Sequence, residues 1–252
     1  MKKTVWKNVW QTACALALLV CLWVVVWAIV GNDSIFPPFS DSVKAFFTFL
    51  VDGAFWRALG STFLRVLLAF AISFILGVGF AFVAYLYPTF ARFFAPVVAV
   101  IRVLPVFAIV FLLLAWTNAG FAPVLVAFLS LFPILYNAFL SALLGVDKGL
   151  IEMSKAYRVP LKKRVTQLYL PSVAPFVVKE IGAGLGFAVK LVVSAEVLVA
   201  TAKSVGALVL ETRYVYDVLP QTFALVIAVC LIGFFFECLG AVLSKALERG
   251  LR

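Results

Sequence analysis

Between Arg92 and Asp147 the chain carries a single charged residue, Arg102. That distance is too long for one helix and the segment too apolar for water, so it must be cut into pieces that satisfy their own backbone hydrogen bonds inside a bilayer. Thr117-Asn118-Ala119-Gly120 is the natural cut, and it predicts spans over about 93–116 and 121–144. Composition agrees: 65% of the 252 residues are hydrophobic, 13% are charged, and 26 are phenylalanine. A soluble domain of this size could not hide so much apolar surface, so the chain is expected to be an all-α polytopic membrane protein.

The other spans follow from the same logic. Ala13–Val30 is uncharged and, at ~1.5 Å per residue, long enough to cross a bilayer. Lys2, Lys3 and Lys7 before it imitate a signal peptide, but the run exceeds a signal's apolar core and no small-residue cleavage site follows. It is therefore expected to be retained as the first span. Residues 40–51 read as a short amphipathic helix at the outer surface, with Val43, Phe46, Phe47 and Leu50 on one face. Further spans are expected over 55–86, 176–200 and 219–239, six in all, with a polar outer segment from Thr201 to Asp217. Gly182, Gly184 and Gly186 give the fifth span a surface for close helix approach.

The formal charge of +10 would suit nucleic acid, but the bases sit at the ends of apolar runs and so report membrane orientation. With the N-terminus inside, Lys and Arg at 2, 3, 7, 92, 148, 155, 158, 162, 163, 164, 245, 249 and 252 share the cytoplasmic side. The outer segments keep Lys44, Arg57, Lys203 and Arg213, partly balanced by Asp33, Asp41, Asp52, Glu211 and Asp217. Both termini are then cytoplasmic: 1–12 as an inner N-terminus, 13–245 as one transmembrane domain, and 246–252 as a tail. No nucleic acid is expected as a partner. Cys14, Cys21, Cys230 and Cys238 lack CxxC spacing and the chain has no histidine, so no metal site is expected. Nor is there a GxxxxGK[ST] loop, so the chain is not expected to be an enzyme or to bind a cofactor itself.

The longest polar interruption runs from Asp147 to Pro175, with a loop proper over 147–171. Its first part, Leu150–Val159, can form a helix with Glu152, Lys155, Ala156 and Val159 on one face. Pro160 breaks it. A second short helix follows, with Leu161, Val165 and Leu168 on one side and Lys162, Lys163, Arg164 and Gln167 on the other, and Leu170-Pro171 is expected to close it. Two short basic helices meeting at a bend between spans have the form of a docking element.

This stretch resembles the loop of ABC-transporter permeases that begins Glu-Ala-Ala, reaches a glycine and ends in Leu-Pro. Here Glu152-Met153-Ser154 opens it, Arg158 stands at the glycine position, and Leu170-Pro171 ends it. The bend must accommodate Arg158, with Pro160 supplying the turn, and a glycine at 158 is expected to be tolerated. Other matches cover roughly residues 35–245: Pro37-Pro38-Phe39-Ser40, Ser61 followed by Arg65, Arg102-Val103-Leu104-Pro105, Phe132-Pro133 with Asn137, and Lys190 with Ser194-Ala195-Glu196-Val197. They are most similar to permeases of the nitrate, sulfonate, taurine and bicarbonate importer group.

The resemblance implies a type I importer (MetI-like) bundle in which Glu152, Lys155, Ala156, Tyr157, Arg158, Pro160 and Leu161 couple to a separate ATPase that binds ATP and Mg. It further implies two ATP-binding cassette subunits, a second permease copy forming a homodimer, and an extracytoplasmic solute-binding protein. The solute would be a sulfonate, taurine, nitrate or similar small polar anion. A thiamine-precursor pyrimidine, riboflavin, or an ATPase-independent secondary transporter are the alternatives. Ionisable or polar side chains inside spans are costly in lipid and are candidates for the path or its bracing: Arg102, Asn137, Lys190 and Glu196. Lys190 and Glu196, six residues apart, fall on different helix faces and call for separate partners. Arg102 could also snorkel to inner headgroups.

Overall fold

Proline and glycine cut the apolar sequence where backbone geometry demands it, and helix fills the intervals. The structure is a computed structural model that describes residues 2–215 and 218–250, without the side chains of 2–9, 11–13, 16, 106, 107 and 215. Asp217 and Arg252 lie outside the described residues, as do the side chains of Lys2, Lys3 and Lys7. In chain order the helices are α1 (Lys2–Val30), α2 (Phe39–Val51), α3 (Gly53–Leu86), α4 (Pro88–Val103), α5 (Val106–Trp116), α6 (Ala122–Leu144), α7 (Lys148–Ala156), α8 (Leu161–Arg164), α9 (Leu170–Leu198), α10 (Val205–Leu210) and α11 (Leu219–Gly250). Gly31, at φ 61°, ends α1 in the left-handed region that costs glycine nothing.

Among the described residues, four helical stretches are long and apolar enough to cross a bilayer: Gly53–Leu86, Ala122–Leu144, Leu161–Leu198 and Leu219–Gly250. The bent pair α4–α5 makes a fifth if it is one span. The expected third span is thus not straight. Pro88–Val103 and Ala108–Trp116 meet at 102°, because Pro105 holds Leu104 extended at φ −56°, ψ 130°. The expected first span lies within α1, whose described apolar part is Ala17–Val30.

The chain divides into two compact units. One comprises the positions up to Trp56 together with Leu208–Ala228. Trp23 is its hub: the ring meets Phe36, Phe39 and Phe223 at centroid distances of 5.1, 5.8 and 5.2 Å, and the indole N–H donates to the Pro37 carbonyl at 3.0 Å. Helix α2 forms as expected, but its face is rotated. Ser42 is buried, Phe46 and Phe49 are half-buried, and Phe47 and Leu50 are exposed. The contact of Phe49 with Phe55 at 5.7 Å sets that rotation.

The other unit comprises Arg57–Ala207 and the chain from Val229 onward. Its centre is α9 against α3 and α6, through Val66, Ala69, Val124, Ala127, Leu131, Ala188, Val189 and Val192. Lipid is as apolar as leucine, so packing closeness holds such helices together rather than exclusion of water. The fifth-span glycines supply it within the chain. A Cβ on Gly182 would come within 2.5 Å of the Phe236 carbonyl and 2.6 Å of Gly240 Cα, and one on Gly186 within 2.6 Å of the Gly233 carbonyl.

The boundary expected at Leu170-Pro171 is absent. Helix α8 continues through a π-helical turn, Val165–Tyr169, directly into α9. The Leu170 N–H reaches back to the Val165 carbonyl, one residue further than in an α-helix. That wider turn sits just ahead of Pro171, which lacks an N–H, and it lets the helix pass the proline without a break. The second short helix expected from the sequence is therefore the first turn of the helix that continues into the fifth expected span.

Candidate functional site

Asp147 starts α7 as an N-cap, its carboxylate accepting from the Gly149 N–H at 2.7 Å and the Leu150 N–H at 3.4 Å. Ile151 packs into a cluster formed by Leu143, Val146, Tyr169 and Val173. Ser154 is buried on the same side. Those contacts fix which way α7 faces: Glu152, Lys155, Ala156, Tyr157 and Arg158 are exposed, followed by Pro160 and Leu161. Val159, expected on the face of Glu152, lies past the helix end and is half-buried.

The joint between α7 and α8 has a definite geometry. The Arg158 N–H donates to the Lys155 carbonyl and the Val159 N–H to the Ser154 carbonyl, each at 2.9 Å. This is a Schellman ending with Arg158 at the position that glycine favours. Arg158 accordingly has φ 50°. The turn thus occurs at Arg158 itself, and Pro160 only forbids its continuation. Anchorage comes from the cluster beneath. Tyr85 near the end of α3 donates its hydroxyl to Tyr169 at 3.2 Å, with the rings at 75°.

The intramembrane candidates fall apart spatially. Arg102 is exposed in the last turn of α4. The Asn137 amide donates to the Pro133 carbonyl at 2.8 Å, a bond inside its own helix. Lys190 is exposed between buried Val189 and Leu191, its ammonium 4.6 Å from the centroid of the Phe187 ring. Glu196 is wholly buried and faces another way.

Glu196 is the centre of a polar node whose other members the sequence did not single out together. Its carboxylate accepts from Arg65 Nη1 at 2.9 Å, Thr62 Oγ1 at 2.9 Å and the Gly206 N–H at 3.3 Å. Arg65 also donates from Nε to the Gly120 carbonyl at 3.0 Å and from Nη1 to Ser61 Oγ at 2.9 Å. Thr62 in turn accepts from the Val205 N–H at 3.0 Å. A Cβ on Gly206 would overlap Glu196, so only glycine lets the start of α10 come this close. The node joins α3, the turn before α6, α9 and the first turn of α10. The available signal was Ser61 and Arg65 one helical turn apart inside an apolar run.

Several bilayer-length helices, an exposed basic helix–bend–helix and a buried ion pair tying α3 to α9 describe a polytopic helical membrane protein, and no group of His, Cys, Asp or Glu that could hold a metal occurs among the described residues. Residues 73–249 match the family described as binding-protein-dependent transport system inner membrane component, and the chain belongs to that family. It is a multi-pass inner-membrane permease of a binding-protein-dependent ABC importer. No curated protein matches it in sequence.

Solved structures with the same fold include the MetNI methionine ABC transporter in an inward-facing conformation, with TM-score 0.65 and 16% identity, covering 76% of this chain and 94% of that one. A bacterial ABC transporter that imports the acidic polysaccharide alginate has TM-score 0.66 and 13% identity, covering 96% and 98%. The alginate transporter in complex with its alginate pentasaccharide-bound periplasmic protein gives 0.63 and 14%, covering 96% and 97%.

Proposed function

We propose that the chain spans the membrane six times with both termini inside, and that α7–α8 docks a separate subunit that binds ATP and Mg and hydrolyses ATP. Two such ATPases, two permease copies and an extracytoplasmic solute-binding protein form the complex. Closure of the ATPases displaces α7, and the inner cluster of Ile151, Leu143, Tyr169 and Val173 carries that displacement into α6 and α9. The solute is a small polar anion such as a sulfonate, taurine or nitrate. Lys190 faces its path, because an exposed ammonium on a spanning helix is costly against lipid and favourable beside water or an anion. Glu196 and Arg65 brace the fifth span.

The observation that carries this reading is the exposed, capped α7 whose Glu152, Tyr157 and Arg158 have no hydrogen-bond or ion-pair partner for their side chains among the described residues, while its other face is packed. Glu152→Lys tests it. The variant should insert and remain folded but fail to co-purify with the ATPase. Normal ATPase binding and transport by that variant would remove the docking assignment.

A further inference from the structure

We propose that Arg158 is the residue by which this permease recognises its own ATPase: its guanidinium pairs with a carboxylate of that subunit, whose receiving face is acidic. The inference rests on the docking role argued above and adds the chemistry of the partner.

Backbone geometry is the first observation. Arg158 occupies the left-handed position of the ending of α7, at φ 50°, where a side chain is disfavoured and glycine is free. The two backbone bonds of the helix ending, to the Lys155 and Ser154 carbonyls, need only a glycine there, and nothing among the described residues uses the arginine side chain. The Arg158 side chain is exposed and makes no hydrogen bond or ion pair among the described residues. A strained backbone that carries a free charged group points to a partner that uses the group.

Charge is the second observation. Lys155, Lys162 and Lys163 are also exposed and unpaired among the described residues, so they flank Arg158 with like charge. Between Lys148 and Arg164 the only acid is Glu152. A complementary surface is therefore acidic, and a guanidinium at its centre suits a planar, two-point grip on a carboxylate better than an ammonium would. Arg158 shares the exposed residues of α7 and its ending with Glu152, an acid that anionic headgroups would repel, which favours a protein partner over lipid.

Three substitutions separate strain from charge. Arg158→Gly removes both, Arg158→Ala keeps the strain and removes the charge, and Arg158→Lys keeps the strain and a charge. The permease is reconstituted in phosphatidylcholine nanodiscs, and its binding to its cognate ATP-binding cassette subunit is measured at low and high salt. The bend itself tolerates glycine, so we expect Arg158→Gly to melt higher than wild type; in a departure from the tolerance expected from sequence, it should bind about tenfold more weakly, with a flatter salt dependence. Arg158→Ala should bind as weakly without the gain in melting temperature, and Arg158→Lys should fall between.

Equal affinity of wild type and Arg158→Gly overturns the proposal and leaves the docking role standing. A loss of affinity seen only when anionic phosphatidylglycerol is added overturns it in favour of headgroup binding. If the wild type itself fails to bind the ATPase in every lipid, the docking role falls, and the recognition role falls with it.

Discussion

Replacing Arg65 with methionine keeps the bulk of the side chain and leaves the Glu196 carboxylate in place without its counter-charge. Glu196 is wholly inaccessible and Arg65 is 16% exposed, so water cannot substitute for the guanidinium. Stranding one member of a buried pair costs about 3–5 kcal/mol, whereas replacing both with apolar groups is often close to neutral. Arg65 also ties Gly120 and Ser61, so its removal releases two further bonds of about 1 kcal/mol each. Glu196→Gln is milder. The amide retains one acceptor oxygen but sets an NH2 group against Arg65, Thr62 or the Gly206 N–H, a loss of about 2–3 kcal/mol. At about 2–4 °C per kcal/mol for a chain of this size, Arg65→Met should lower the melting temperature of the detergent-solubilised protein by about 10 °C or more. The double variant Arg65→Met/Glu196→Met should recover much of that. With the single variant Glu196→Met completing the cycle, a coupling of about 2 kcal/mol or larger is the expected result. Strictly additive losses would refute the claim that the two residues act as a pair.

Gly182→Ala should destabilise the α9–α11 contact by about 3 kcal/mol, since the added carbon meets backbone atoms that cannot turn away. Gly79→Ala, with nothing within 4 Å, should be neutral in the same thermal assay. Lys190 can be probed without knowing the solute. After the exposed cysteines Cys14, Cys21, Cys230 and Cys238 are changed to serine, Ser194→Cys should react faster with an anionic than with a cationic thiosulfonate reagent. Lys190→Met should slow the anionic reagent and speed the cationic one by about threefold each, lowering that preference by about tenfold, the effect of one charge about 6 Å away in a fully wet groove. An unreactive Ser194→Cys, or a ratio indifferent to Lys190, places this face against protein or lipid.

Much of the fold is legible in the sequence because hydropathy and charge are local signals. The intervals around Gly31, Asn118 and Asp147 are where helices end, and the glycines of the fifth span do meet another helix. What escapes the sequence depends on partners distant along the chain or on backbone accommodation. Glu196 announces a buried cost, but its partner lies 131 positions away, and Arg65 reads equally well as an interfacial base. Pro105 and Pro171 look alike as breakers. One bends α4 away from α5, and the other is absorbed by a π-helical turn because Tyr169 and Val173 are held in a packed cluster. Arg158 illustrates a third kind of limit. A missing glycine reads as a turn that Pro160 must supply, although the backbone turns at position 158 itself, with an arginine held at φ 50°.

The central claim is that the α7–α8 joint is where an ATPase docks, and a photo-cross-linker at Tyr157 tests it most directly. That side chain is 79% exposed at the end of α7. In membranes holding the intact complex, benzoylphenylalanine at Tyr157 should form an adduct with the ATP-binding cassette subunit, and the same group at Asp52, which the proposed topology puts outside, should not. Adducts from Asp52, or none from Tyr157 while the complex remains assembled, would contradict the account.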